Sequence, residues 1–320
     1  MKKPLKIIGI VISIPIVLVS TLLVMLSCVP MTPKDYTKKV KTGGELEAKY
    51  LATGDYKVMM VKRDGSETTG SYYIYYPEEL NDSNRKYPVV VMLNGTGVFP
   101  KKYKALFEHL ASWGFVVVGN DDPSTGFGKS ADETMDLIIS ENANGNSVFY
   151  GKFDLTNIGI TGHSQGGAGV FTAASIMRNS DKYRTVVALS PTHEETAHKL
   201  GWGYDLTKIK VPTLMMAGIN DNFETRFVIP LEKMIEMYNK IPSSKAMIRR
   251  IDAGHGQMLY SADGYVTAWL MWLLQGDEEA GKAFIGDIPE IRNNKLYQDI
   301  AIDITSRLMS EHNISRITDK

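Results

Sequence analysis

Continuous apolar runs alternate along this chain with segments of helical spacing. Tyr87–Leu93 reads YPVVVML, apolar at successive positions, which predicts a central parallel strand covered on both faces. Phe115–Gly119, Asn157–Thr161, Thr185–Leu189, Pro212–Ala217 and Ala246–Ile251 predict further strands. Between them Lys102–Trp113 carries Leu106, Leu110 and Trp113 at helical spacing, and Ser130–Asn142, Gln165–Met177, Phe227–Asn239 and Ala262–Leu274 also predict helices. Ser130 with Glu133 predicts a capping box. Strands alternating with helices at this spacing predict a mostly parallel twisted sheet with helices on both faces. Ligands then bind at the carboxyl ends of the strands, where the glycine-rich turns collect. Upstream, Tyr56–Arg63 and Ser71–Tyr76 predict an antiparallel edge hairpin, the tyrosines of the second run falling on both faces. Near the end, Leu296, Ile300, Ile304 and Leu308 form one stripe of a predicted final helix docked on its own domain.

The termini differ in character from this middle. Lys2, Lys3 and Lys6 precede an apolar run from Ile7 to Val24 that continues into Met25-Leu26-Ser27-Cys28. A basic start followed by an apolar core reads as an export signal, and its length approaches the ~20 residues that span a bilayer. Met25-Leu26-Ser27-Cys28 resembles the lipobox of bacterial lipoproteins, which makes Cys28 a candidate for lipidation. A lipid anchor, an uncleaved anchor and free secretion all place the protein outside the cytoplasm. The expected division is therefore a signal or anchor over residues 1–28, a polar lysine-rich tether over 29–49, a catalytic domain over 50–285 and a helical extension over 286–320.

Composition narrows the choice further. The 320 residues are 43% hydrophobic and 22% charged, which suits one large α/β domain. Lys+Arg and Asp+Glu are both 36, so no basic footprint for nucleic acid is present. With a single cysteine, the domain holds together by its core and not by an internal disulfide. No metal-ligand pattern and no cofactor fingerprint appears, and none is expected.

The chemistry concentrates in Asn157–Gly169, NIGITGHSQGGAG. Gly162-His163-Ser164-Gln165-Gly166 matches G-x-S-x-G between a predicted strand and a predicted helix, the context of a nucleophile elbow. A sharp turn there projects the Ser164 oxygen clear of the sheet. Residues without side chains are needed where strand and helix nearly touch. Ser164 is the candidate nucleophile. It needs a base to take its proton and an acid to orient that base.

Six histidines are available. His109 lies in a helix and His312 in the tail. His163 is inside the elbow, its side chain expected to point away from the partners of the serine. His193 and His198 occupy the connection before the next strand, where they can line a cleft. His255, in Asp252-Ala253-Gly254-His255-Gly256 after a strand, is the candidate base. Asp221 is favoured as the acid over Asp252, which lies too near His255, and over Asp122, which precedes the serine; in α/β-hydrolases the order is serine, acid, histidine. A tetrahedral intermediate also needs two N–H donors. Gln165, at a helix N-terminus, supplies one. Thr96, in Gly95-Thr96-Gly97 after the Tyr87–Leu93 strand, is the favoured second.

Together these segments resemble the bacterial cutinase and polyester-hydrolase branch of the α/β-hydrolases, near the platelet-activating-factor acetylhydrolase-like and dienelactone-hydrolase-like enzymes. The resemblance runs from Tyr87 to Phe284. It rests on Asn94-Gly95-Thr96, Leu110-Ala111-Ser112-Trp113-Gly114-Phe115-Val116-Val117, Pro123-Ser124-Thr125, Gly162-His163-Ser164-Gln165-Gly166-Gly167, Val211-Pro212-Thr213-Leu214, Ala268-Trp269-Leu270 and Gly276-Asp277. It implies an α/β-hydrolase fold and carboxylester hydrolysis by Ser164, Asp221 and His255, with the oxyanion held by Thr96 and Gln165. Thr96 stands where polyester hydrolases carry a stacking aromatic residue. Trp202 in the Thr192–Lys210 connection is expected to pack, and that connection is too short for a cap domain. The expectation is an extracytoplasmic, membrane-tethered serine esterase acting on a small ester, a lipid or a polymer. A membrane-surface lipid deacylase or acyltransferase, and a non-catalytic binding module on the same fold, stand as alternatives.

Overall fold

The computed structural model describes residues 31–304. Nine strands form one sheet in the order β1-β2-β4-β3-β5-β6-β7-β8-β9. The strands are β1 (Val58–Asp64), β2 (Ser71–Pro77), β3 (Tyr87–Leu93), β4 (Val116–Asn120), β5 (Phe153–His163), β6 (Thr185–Leu189), β7 (Thr213–Gly218), β8 (Lys245–Arg250) and β9 (Tyr297–Asp303). β3 to β8 pair in parallel, while β1, β2 and β9 join antiparallel at the two margins.

The apolar runs are continuous because both faces are covered. Along β3, Val89, Val91 and Leu93 enter one core while Val90 and Met92 enter the other. The first core is closed by α3 (Lys129–Ala143), α4 (Gln165–Ser175) and α6 (Leu231–Lys240), through Met135, Phe171 and Met234. The second is closed by α1 (Glu45–Leu51), α2 (Lys104–Ser112) and α7 (Asp263–Gln275), through Leu51, Phe107 and Trp269. A short α5 (Glu194–Lys199) lies in the connection from β6 to β7.

Several expectations change. The segment expected as a free tether is folded from residue 31 onward: a helical turn at Tyr36–Lys39 and α1 bury Tyr36, Glu47, Tyr50 and Leu51. The expected final helix is instead a short turn, Glu290–Asn293, followed by β9 along the open edge of β8. An unpaired strand edge is satisfied best by another strand, which outweighs a helical stripe of four residues. Leu308 of that stripe lies outside the described residues. β2 is not an edge strand; it pairs with β1 on one side and β4 on the other, so its tyrosines are mostly buried. The capping box at Ser130 does not form, because α3 begins one residue earlier after Gly128 and Glu133 accepts from Ser66.

The N-terminal segment is tied to β8 and β9 by a buried ion cluster. Arg250 donates to Glu47, Tyr297, Asp252 and the carbonyls of Lys41 and Ser261, at 2.6–2.9 Å. Tyr297 and Asn294 also donate to Glu47. A buried charge is tolerable only when it is matched this completely.

Candidate active site

β5 ends at His163, α4 begins at Gln165, and Ser164 between them is held at φ 61°. A positive φ costs a residue with a Cβ on the order of 1–3 kcal/mol, so the surroundings must enforce it. They do so by close approach. A Cβ on Gly162 would sit 2.4 Å from the Gly166 carbonyl oxygen, and one on Gly166 would sit 2.3 Å from that of Leu93. The Ser164 N–H is anchored on the Leu189 carbonyl at 2.9 Å. The strain holds the hydroxyl out at the carboxyl edge of the sheet.

There it meets His255, whose Nε2 lies 2.9 Å from Ser164 Oγ. The other ring nitrogen, Nδ1, lies 2.7 Å from Oε2 of Glu224. A carboxylate is an acceptor, so Nδ1 carries the proton and Nε2 is left to accept from the serine. Glu224 is fully buried, its Oε1 accepting from the Gly218 N–H at 3.0 Å and from the Ser190 hydroxyl.

The carboxylate at the imidazole is therefore not Asp221. Asp221 sits beside it in a supporting position: Oδ2 accepts from the backbone N–H of His255 and Oδ1 from that of Glu224, both at 2.6 Å. Both of its oxygens are engaged by these backbone N–H groups, so it holds the loop that carries His255. Burial raises the Asp221 carboxyl, but the donated N–H groups of Glu224 and His255 outweigh it and keep it below the usual carboxylate range. Gly254 permits the grip, since a Cβ there would lie 2.2 Å from Asp221 Oδ2. Asp252 bonds Arg250, and Asp122 accepts from the Ser124 N–H.

Glu224 escaped the sequence reading although it satisfies the same chain order as Asp221. It begins a π-helical turn, Glu224–Val228, and only that turn brings residue 224 back to the imidazole. The one signal was its place in the same post-strand loop.

His163 does not point away from the site. Its ring lies 4.7 Å from that of His255, and its Nε2 donates to the His255 carbonyl at 2.7 Å. Burial, with His255 adding to it, pushes His163 down to about 3, so it is neutral. Gln165 is the first residue of α4, where the backbone N–H has no intrahelical partner. The Asn94–Gly97 loop runs alongside the elbow: Gly95 is buried, a Cβ on it would lie 3.8 Å from Ser164 Cβ, and Thr96 is exposed. His193 and His198 lie in α5 and its cap, where His193 bonds Thr196 and His198 the Tyr204 carbonyl. Trp202 is buried, packed where a Cβ on Gly126 would meet it.

Sheet order, crossover helices and the strained turn at the end of β5 define an α/β-hydrolase fold. More closely, the chain belongs to the PET hydrolase-like family, whose model matches residues 39–298. It is 27% identical over 201 residues to Cutinase est1 of Thermobifida alba, covering 60% of each chain. It is 26% identical to Cutinase cut1 of Thermobifida fusca over 60% of this chain and 56% of that one. The bis(hydroxyethyl) terephthalate hydrolase of Streptomyces coelicolor is 26% identical over 55% of this chain and 51% of its own. The expected cutinase and polyester-hydrolase branch is borne out. The family match also begins within the segment first read as a tether.

Proposed function

We propose that the protein is a serine esterase that cleaves carboxylic esters through an acyl-enzyme on Ser164. The observation that carries this reading is the continuous line Ser164 Oγ, His255 Nε2, His255 Nδ1, Glu224 Oε2. His255 takes the Ser164 proton as the oxygen attacks the ester carbonyl, and Glu224 stabilises the imidazolium. The tetrahedral oxyanion is received by the N–H groups of Thr96 and Gln165. The intermediate collapses, His255 gives the proton to the departing alcohol, and a water activated the same way releases the acid. Asp221 holds the backbone on which His255 and Glu224 sit. That the named relatives are cutinases and a terephthalate-ester hydrolase supports ester substrates, small or polymeric.

α5 and the turns around it are the only helical structure between β6 and β7, so that connection forms no cap domain over the site. Fluorophosphonate labelling of the folded protein tests the reading. An adduct on Ser164, with turnover falling about 10⁶-fold in Ser164→Ala, is the expected result. Folded protein with no adduct and no esterase activity would point to a binding module on a hydrolase fold. The protein is further proposed to act outside the cytoplasm. The apolar run and Cys28 lie outside the described residues, within which no helix is long and apolar enough to cross a membrane. Mass spectrometry of the mature amino terminus checks the anchor: a diacylglycerol on Cys28 confirms it, and an intact Met1 excludes lipidation.

A further inference from the structure

The strands β3 to β8 are parallel, so the loops that follow them emerge at one edge of the sheet, the edge where Ser164 stands. Large apolar side chains are left exposed there. Phe127 after β4 is 52% exposed, Leu200 after α5 is 50% and Phe227 after β7 is 64%. They come from separate loops yet adjoin. A Cβ on Gly201, next to Leu200, would lie 3.5 Å from the Phe127 ring. At the other end of α5, the His193 N–H bonds the Val228 carbonyl, next to Phe227.

The chain enters the fold at the same edge. The N–H groups of Met31 and Thr32 donate to the Lys102 carbonyl at 2.8 and 3.2 Å, in the turn Pro100–Tyr103 that leads from the loop after β3 into α2. Tyr103 of that turn donates to Asn94, the first residue beyond β3. The apolar run Ile7–Val24 ends a few residues upstream of this entry. Extended chain spans only about 3.6 Å per residue, so a bilayer holding that run stands within about 25 Å of this edge. Charge agrees: Lys34, Lys38 and Lys101 are exposed around the entry, and Asp35 is the only acid in residues 31–41.

We propose that this edge docks on the surface of an anionic lipid bilayer. Phe127, Leu200 and Phe227 enter the headgroup layer while the lysines meet its phosphates, which presents Ser164 to esters held in the membrane. Exposed apolar side chains beside basic ones suit an interface that is apolar below and anionic above. A second copy of the chain would cover the apolar side chains but would leave the lysines and the adjoining apolar run without a role.

The test uses the full chain carrying Cys28→Ser and one new cysteine, at Phe127→Cys, Leu200→Cys or, as a control, Tyr150→Cys. Tyr150 is exposed and precedes β5, at the opposite edge of the sheet. Each variant is labelled with an environment-sensitive fluorophore and reconstituted in vesicles of phosphatidylglycerol or of phosphatidylcholine alone. In phosphatidylglycerol the labels at 127 and 200 are expected to shift blue and to be quenched by nitroxide-bearing lipid, and the label at 150 is not. Lys34→Gln and Lys101→Gln are each expected to lower the docked-to-undocked ratio about 5-fold. Equal quenching at all three positions, no quenching at 127 and 200, or a chain that stays free of the vesicles overturns the proposal. So does a shift that grows with protein density and is the same in neutral vesicles, which would assign the edge to a second copy. None of these readouts requires turnover, so a protein without a Ser164 adduct can still dock and an active esterase can still fail to.

Discussion

Replacing Glu224 by Gln separates the two neighbouring carboxylates by role. The substitution keeps length and volume, so the new side-chain oxygen can still accept from Gly218 N–H and the Ser190 hydroxyl. What it removes is the negative charge 2.7 Å from His255 Nδ1. The amide then turns an N–H donor toward the imidazole, which favours the tautomer with its proton on Nε2, unable to accept from Ser164. In a serine protease triad the equivalent change lowers kcat by about 10⁴, or about 5.4 kcal/mol at 1.36 kcal/mol per decade. Asp221→Asn differs in kind. Asn retains one acceptor oxygen where Asp offers two, so one of the backbone N–H bonds from His255 and Glu224 is lost. Leaving one such donor unpaired costs about 1–3 kcal/mol, an effect on the order of 10-fold when it appears in kcat. The assay is pre-steady-state hydrolysis of p-nitrophenyl acetate, with thermal melts to confirm folding. The expected order is Glu224→Gln slower than Asp221→Asn by a hundredfold or more (about 2.7 kcal/mol). A folded Glu224→Gln protein retaining a tenth of wild-type kcat, beside an Asp221→Asn protein that is nearly inactive, would refute the assignment.

Three further predictions draw on other parts of the molecule. If the second oxyanion donor is the Thr96 backbone, Thr96→Ala changes kcat only slightly, while Thr96→Pro, which lacks the N–H, lowers it about 10²–10³-fold; equal effects would remove Thr96 from the oxyanion site. Arg250→Met leaves Glu47 buried without its cation and should lower unfolding free energy by about 3–5 kcal/mol in urea; an unchanged midpoint would show that the cluster contributes nothing net. His163 is ordinarily near 6.5 and lies at about 3 in the fold, so between these values the unfolded chain binds a proton that the native one does not. Stability therefore falls as pH drops through that window, by up to about 1.4 kcal/mol per pH unit from this residue; identical pH slopes for wild type and His163→Phe would deny it.

The alternation of apolar runs and helical stripes was enough to determine the parallel sheet, the helices on both its faces, and the elbow that presents Ser164. Those are local consequences: β-strands covered twice must be apolar throughout, and a strained turn needs glycines at set distances along the chain. His255 was legible for the same reason, as a histidine in a glycine-flanked turn beyond a strand. Tertiary structure alone decided which carboxylate reaches it. Asp221 and Glu224 are three residues apart in one loop, and the π-helical turn and the Gly218 N–H at the end of β7, with the Ser190 hydroxyl at the end of β6, select the second. Tertiary pairing likewise turned a tail with a helical stripe into β9, and a lysine-rich tether into a packed helix whose Glu47 meets Arg250 at the end of β8. Partners so distant along the chain leave no periodic trace, because their energy comes from burial and charge matching that exist only once the sheet has formed.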